Sequence, residues 1–401
     1  MAEATEVYFN IWDPEFRANP YPHYDPLLAG PPPIVNAGPM MFALVARYAD
    51  VTTGLRDHEH LSSVQPMPPP DQVYQGRFKG SRNMLGSDPP QHTRLRKLVS
   101  RDFTPRRIRE LEPRIREIAK KLLDKVEAKG EFDLMADLAN VLPVTVIAEM
   151  LGVPPELNAK FKHWSDTIIS GDNRVPGSPP PPEVVRVIDE LGDYFTAEFE
   201  RRRANPGPDL VSALVAAHDE GEVMSAPDLL SFVTLLLIAG NETTTNLIGN
   251  GTLALGRHPD QFDALKRNPE MLPRAIEEML RYDGPVQSTV RFANQPMQLG
   301  GTAIPAGSFA LMIVAAANRD RAQFKDPEKF DIARDPNDHV AFGEGIHFCI
   351  GAPLARMEAR IAFEAMLARF PRLRLKDPAM KPVYKGSYFL RGLESLPLAV
   401  D

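Results

Sequence analysis

The most informative segment of the chain is Phe342-Gly343-Glu344-Gly345-Ile346-His347-Phe348-Cys349-Ile350-Gly351, which carries the only cysteine among 401 residues. A lone cysteine cannot form an internal disulfide, and most such residues are small buried hydrophobes. Here, however, glycines frame the sulfur and let the backbone turn and approach another group closely. The loop therefore presents a thiol that is suited to act as a ligand.

A helix is predicted directly after this loop. Apolar residues recur at helical spacing over 352–369, and Pro353 suits a first helical turn. The sulfur of Cys349 then lies beside a helix N-terminus, where N–H groups and the helix dipole favour a thiolate. A thiolate in such a position is a good ligand for iron.

The spacing Phe-x-x-Gly-x-x-x-Cys-x-Gly resembles the haem-binding loop of the cytochrome P-450 family, and the resemblance covers nearly the whole chain. It implies that Cys349 is the metal ligand and that Phe342, Gly343 and Gly351 help to bind the cofactor, haem b (iron protoporphyrin IX). It also implies a mainly α fold with small β-sheets. This is the triangular cytochrome P-450 fold with a long central helix over the haem, formed by one domain over 1–401.

The spacing of polar and apolar residues also predicts the main elements. Ser225, with Asp228 three residues later, predicts a capping box that opens a helix over 226–257. At 1.5 Å per residue such a helix is about 48 Å long, and its apolar faces place it in the middle of the molecule. Extended segments are expected within 33–45, 286–315 and 380–400. Further helices are predicted at 105–129 (kinked or split at Pro113), 136–152, 155–170, 183–203, 208–218, 259–267 and 269–282.

The segment Ala239-Gly240-Asn241-Glu242-Thr243-Thr244 interrupts the apolar pattern of the long helix. Glycine costs roughly 1 kcal/mol inside a helix. One interpretation is a tolerated kink packed against a neighbour. The other is a groove, beside a carboxylate and a hydroxyl, that holds O₂ and relays protons. The resemblance favours the groove, with Ala239 and Gly240 at the cofactor and Glu242 and Thr243 as the catalytic acid–alcohol pair.

Glu278 and Arg281 form a Glu-x-x-Arg pair on one helix face. Taken alone, such a pair is usually an exposed contact that contributes less than about 1 kcal/mol. The resemblance instead implies a buried structural pair that locks the cysteine loop, with Arg334 as the third partner.

Haem carries two propionates, which need cations or other donors. His92 and Arg96 are four residues apart and share one helix face, Arg291 lies in an extended segment, and His347 stands two residues before Cys349. A single basic residue is most often a solvated surface charge. The resemblance implies that this set of four binds the propionates.

The composition limits the partners. A net charge of −7 gives no reason to expect nucleic acid or an anionic membrane, and a single cysteine fits a reducing cytosol. The N-terminus has no signal-peptide pattern, and no run of 18 apolar residues is found. We therefore expect a soluble, cytoplasmic protein. A monomer is the expected oligomeric state, although none of these features determines it.

By resemblance, the activity is that of a soluble bacterial haem-thiolate monooxygenase. It would insert one oxygen atom from O₂ into a small to mid-sized hydrophobic substrate, using NAD(P)H electrons delivered by a separate ferredoxin or flavodoxin. The alternatives are a haem-thiolate peroxygenase and a non-catalytic haem-based ligand sensor. Arg77, Lys79 and Arg82 either bind a substrate carboxylate or are solvated loop charges.

Basic residues in two segments predict a docking patch for an acidic electron donor. The alternative is that propionates, or the nearby carboxylates Glu110, Glu112 and Glu358, neutralise some of these arginines. The predicted patch consists of Arg94, Lys97, Arg101, Arg106, Arg107, Arg356 and Arg360.

Overall fold

The computed structural model describes residues 9–10, 13–37, 40–66, 81, 83–126, 130–171, 179–219, 225–370, 372–385 and 388–400. Arg77, Lys79 and Arg82 lie outside the described residues.

Helices dominate the described part of the chain, as the sequence predicts. They are α1 Pro14–Ala18, α2 Asp25–Leu28, α3 Tyr48–Arg56, α4 Gln91–Ser100, α5 Pro105–Asp124, α6 Leu142–Met150, α7 Asn158–Ser170, α8 Pro182–Ala204, α9 Leu210–Asp219, α10 Ala226–Arg257, α11 Pro259–Arg267, α12 Leu272–Asp283, α13 Val314–Ala317 and α14 Ala352–Arg369.

The strands are short. They are β1 Ile34–Ala37, β2 Met40–Val45, β3 Leu61–Ser62, β4 Glu131–Asp133, β5 Thr289–Ala293, β6 Met297–Leu299, β7 Thr302–Ile304, β8 Phe309–Met312, β9 Leu373–Leu375 and β10 Pro397–Val400. The largest sheet has the order β1-β2-β8-β5-β3, the second β4-β10-β9, and β6 pairs with β7. In the largest sheet β2 and β8 run parallel, with Ala43 opposite Ala310.

The central helix α10 has the predicted bounds because its N-terminal cap is complete. The Ser225 N–H donates to the Asp228 carboxylate at 2.9 Å, and the Asp228 N–H donates to Ser225 Oγ at 3.3 Å. The helix ends at Arg257, just before Pro259 opens the next one. Its residues pack into the main apolar core together with those of α5, α6, α8, α12 and α14.

The helix predicted over 105–129 is shorter than expected, and Pro113 does not split it in two. α5 ends at Asp124 and runs through Pro113 without a break. Pro113 lies on the exposed face of the helix, where water can satisfy the carbonyl that the proline leaves unpaired.

Candidate active site

The loop before α14 is closed by backbone hydrogen bonds. The Cys349 N–H donates to the Phe342 carbonyl at 2.9 Å, and the Phe348 N–H donates to the Gly345 carbonyl at 3.1 Å. Gly343 and Gly345 have φ angles of +72° and +68°, which side chains rarely adopt. Gly345 also lies against α3, since a Cβ there would stand 2.9 Å from the Leu55 carbonyl oxygen. Two glycines of the motif are therefore required by the backbone.

Cys349 lies at the N-terminal end of α14 and is partly exposed. Desolvation by neighbouring atoms raises the pKa of its thiol, while the N–H groups of Gly351 and Ala352 and the charges of Arg96 and Arg356 act to lower the pKa. The helix N-terminus thus favours the thiolate as expected, but desolvation outweighs it. A metal cation bound to Cys349 would supply the missing stabilisation, because metal-coordinated thiols lose their protons.

Two of the predicted propionate donors, His92 and His347, meet with their ring centroids 4.3 Å apart. Burial is the main cause that lowers the pKa of His347 to about 3. Burial also lowers the pKa of His92. Ser63 Oγ lies 2.9 Å from Nε2 of His347. Nε2 of His92 is buried, with no hydrogen-bond partner in the described part of the chain.

Arg291 and Arg96 complete the predicted set of four. Arg291 is only 5% exposed and donates to the Val290 carbonyl at 2.9 Å and to Thr289 Oγ1 at 3.2 Å. Among the described residues, no carboxylate lies within ion-pair distance of it. Arg96 braces the cysteine loop through bonds to the carbonyls of Ile346 and Phe348, at 3.0 and 2.7 Å.

These residues fit a haem group. A buried guanidinium without a carboxylate partner destabilises the folded state unless it binds an anion. Arg291 is such a guanidinium, so it is suited to bind a haem propionate. The unpartnered Nε2 of His92 is a second buried group that is able to bond a propionate oxygen. Cys349 offers a thiol of the kind that binds haem iron.

Residues 239–244 interrupt the apolar pattern of α10, but the helix itself is continuous through them. Thr243 Oγ1 donates to the Ala239 carbonyl at 2.9 Å. A Cβ at Gly240 would stand 3.1 Å from Ile147 of α6, so this glycine allows two helices to pack closely. Ala239 is exposed although most of the helix around it is buried.

Glu242 is buried and turned toward two lysines. Oε1 of Glu242 accepts a hydrogen bond of 2.9 Å from Lys385, and Oε2 lies 3.8 Å from Nζ of Lys162. The Lys162 ammonium also pairs with Asp166. The sequence reasoning missed both lysines, because 143 positions separate Lys385 from Glu242 and no local pattern connects them.

Glu278 and Arg281 are fully buried, with Nε of Arg281 2.7 Å from Oε2 of Glu278. Arg334 Nε lies 3.1 Å from the same oxygen. Arg281 also donates to the carbonyls of Asn318 and Pro327, both at 2.9 Å. The carboxylate therefore joins α12 to the segment that leads into the cysteine loop.

Glu277, the residue before this carboxylate, links α12 to α14. It accepts two bonds of 2.7 Å from Arg356 and lies 3.1 Å from His339 Nε2. Burial acts to raise the pKa of Glu277, but the hydrogen bonds from Arg356 and His339 outweigh it and hold the pKa at about 2. The sequence reasoning did not identify Glu277.

Most of the predicted basic patch is neutralised. Arg106 and Arg107 pair with Glu110, Arg356 with Glu277, Arg360 with Glu112 and Glu364, and Arg101 with Asp102. Arg94 and Lys97 are exposed on α4, and within the described ranges neither has an ion-pair partner. The free part of the patch is therefore limited to these two residues.

Comparison with known proteins identifies the family of the chain. The cytochrome P450 family model matches residues 182–394. The chain is 44% identical over 391 residues to the cytochrome P450 monooxygenase PikC of Streptomyces venezuelae, covering 96% of this chain and 92% of that protein. It is also 44% identical over 324 residues to 6-deoxyerythronolide B hydroxylase of Saccharopolyspora erythraea, covering 80% of this chain and 78% of that protein.

Among solved structures, the cytochrome P450 PksS of the Bacillus subtilis bacillaene polyketide synthase matches with a TM-score of 0.88 at 37% identity, covering 98% of this chain and 100% of that one. The fold is therefore the cytochrome P450 fold, and the chain belongs to the cytochrome P450 family. It is a P450 monooxygenase, and the family implies a haem cofactor, O₂, an organic substrate and usually a redox partner. No helix in the described ranges is both long and apolar enough to cross a membrane.

Proposed function

We propose that this monooxygenase inserts one oxygen atom of O₂ into a C–H bond of a lipophilic substrate of small to middle size. The observation that carries the proposal is the glycine-framed loop around Cys349, the only cysteine of the chain. In this loop the sulfur accepts hydrogen bonds from backbone N–H groups at the start of α14. Electrons come from NAD(P)H through a separate ferredoxin or flavodoxin. Haem ligated by a thiolate supplies the oxygen-activating chemistry when it is bound.

The cofactor in this proposal is haem b. Covalent attachment of haem uses two cysteines in a C-x-x-C-H motif, and this chain has one cysteine. The haem is therefore held by Cys349 and by polar bonds to its propionates. His92, Arg96, Arg291 and His347 supply those bonds.

Two residues of α10 carry the proton chemistry in the proposal. Glu242 takes up protons from solvent, and Thr243 holds its hydroxyl beside the exposed Ala239, where O₂ binds. The apolar side chains around these two residues keep water away from the reacting atoms. Positioning and excluding water are the usual contributions of the protein in cofactor enzymes.

The substrate class we propose is a polyketide-type lipophilic molecule. The names of two relatives, 6-deoxyerythronolide B hydroxylase and the polyketide synthase P450 PksS, support this class. Partly exposed apolar side chains at Leu235, Val286, Val290 and Leu390 support an apolar pocket.

The test uses purified holoprotein with NADH, a ferredoxin, its reductase and ¹⁸O₂. Macrolactones, linear polyketides, steroids and fatty acids are first screened for the spin-state shift that follows binding. One labelled oxygen in the product of a polyketide-type substrate is the expected result. Product with hydrogen peroxide alone, and none with the reductase system, would indicate a peroxygenase. Binding without turnover in either system would indicate a ligand sensor.

A further inference from the structure

Three polar side chains follow one face of α10 at four-residue spacing, namely Glu242, Asn246 and Asn250, and they are only 2%, 0% and 1% exposed. Each lies against the C-terminal segment. Glu242 bonds Lys385, Asn246 lies against Gly392, and Asn250 donates to the Arg391 carbonyl at 3.0 Å. We call these six residues the polar seam.

Lys385 connects the buried carboxylate with solvent. Its side chain is 29% exposed, whereas that of Glu242 is 3% exposed. The lysine is held in place by its own backbone, since the Lys385 N–H donates to the Gly392 carbonyl at 2.8 Å. Arg391 stacks 3.5 Å over the ring of Tyr384 and pairs with Asp283 at 2.7 Å. These contacts hold the backbone on both sides of the Lys385–Gly392 bond in place. The ammonium group of Lys385 is therefore fixed against Oε1 of Glu242.

Asn246 has a fully buried amide whose oxygen and nitrogen both have no hydrogen-bond partner among the residues that the structure describes. Gly392 makes room for this amide, because a Cβ at 392 would stand 1.9 Å from Oδ1 of Asn246. Oε2 of Glu242, one helical turn away, is also buried without a hydrogen bond. Buried polar groups are rarely unpaired, and a buried water with several polar partners commonly satisfies them.

We propose that Lys385 and Asn246 are positioning residues for Glu242 and that solvent protons reach Glu242 through the polar seam. Lys385 fixes Oε1, which leaves Oε2 free for a water held by the Asn246 amide. This water passes one proton to Oε2 and receives one proton from solvent in its place, so it ends as neutral water. This inference rests on the proposed proton role of Glu242.

Lys162 is the other charged group that faces Glu242 from the described part of the chain. Its ammonium is 3.8 Å from Oε2, beyond hydrogen-bond distance, and it is shared with Asp166. Lys385 is therefore the closer partner, and we expect Lys162→Met to perturb turnover less than Lys385→Met.

The first test measures turnover, peroxide release and the solvent deuterium isotope effect of the holoenzyme variants Lys385→Met and Asn246→Leu. Both should keep wild-type haem content and substrate KM, lose about tenfold in kcat, release more peroxide and show a larger isotope effect. Lys385→Arg should restore most of the rate. The matched control is Lys376→Met, which removes a surface lysine that pairs with Glu131 at 2.7 Å. Wild-type kcat and isotope effect in both seam variants would overturn the proposal.

The second test is independent of activity and so separates this proposal from the proposed function. Lys385→Met should lower the denaturation midpoint, and adding Glu242→Gln should recover most of the loss, because the unpaired charge is removed. Strictly additive losses would contradict the pairing.

A crystal structure of the holoenzyme should show a water bonded to Asn246 and to Oε2 of Glu242, and Asn246→Leu should lack it. A wild-type structure with no water there would refute the seam as a proton path.

Discussion

Arg334 and Glu278 lie 56 positions apart in the sequence, yet Nε of Arg334 is 3.1 Å from Oε2 of a carboxylate that is fully buried. The Asp331 N–H donates to the same carboxylate at 2.9 Å. One side chain of α12 thus bonds two residues, Asp331 and Arg334, of the stretch that precedes the cysteine loop. Because breaking a buried ion pair leaves an unpaired charge, this contact should be decisive for the folded state.

Glu278→Ala should therefore yield little haem-loaded protein. The substitution leaves the guanidinium groups of Arg281 and Arg334 without their carboxylate, at a cost of about 3–5 kcal/mol. Haem content and denaturation midpoint measure the effect. Glu328→Ala is the matched control, because Glu328 is exposed and pairs with Arg321 on the surface. A stable Glu278→Ala holoprotein with a normal spectrum would show that the pair is not needed.

The Glu277 contact predicts a dependence of stability on pH. The pKa of Glu277 is lowered to about 2 in the folded chain, against about 4.3 for a free glutamate. The stabilisation is therefore complete above about pH 4.3 and is lost as the pH falls toward 2. Between pH 5 and 2.5 the wild type should lose about 1–2 kcal/mol more than Glu277→Gln. Equal losses in denaturant titrations would contradict the assignment.

Thr243→Ala should separate electron use from product formation. The variant should bind haem and substrate and consume NADH near the wild-type rate, while hydrogen peroxide rises at the expense of product. The substitution removes the Thr243 hydroxyl, which we assign to the proton chemistry, and leaves helix α10 intact. Thr243→Ser keeps the hydroxyl and should retain most of the coupling. An unchanged ratio of product to NADH in Thr243→Ala would remove Thr243 from the proton chemistry.

Arg94 and Lys97 should steer an acidic electron donor, because the structure leaves these two cations of the predicted patch without ion-pair partners in the described ranges. The first electron transfer should slow several-fold as salt rises, since charges are screened beyond about 8–10 Å. The double variant Arg94→Glu/Lys97→Glu should slow it further. Arg106→Glu is the control, because Arg106 is already paired with Glu110. A rate independent of salt and unchanged in the double variant would exclude electrostatic docking here.

Local features of the structure could be predicted from the sequence, whereas contacts between residues far apart in the chain could not, except where a motif marks them. The bounds of α10 and α14 follow from their caps and prolines, and the Glu278 cluster follows from a recognisable motif. Contacts such as Lys385 with Glu242 depend on how the C-terminal segment folds back on α10, and no periodicity encodes them. The pairing of Arg106 and Arg107 with Glu110 is local, at spacings of four and three residues, and the sequence offers it as the alternative to an open patch. The pairing of Arg356 with Glu277 spans 79 positions, and no local pattern predicts it.

Binding of the haem iron by Cys349 is best tested by the absorption spectrum of the reduced protein with carbon monoxide. The wild type should show the red-shifted Soret band of a thiolate ligand, and Cys349→His, if it still binds haem, should lose that band. A wild type without the band, or a Cys349→His variant that keeps it, would contradict the account.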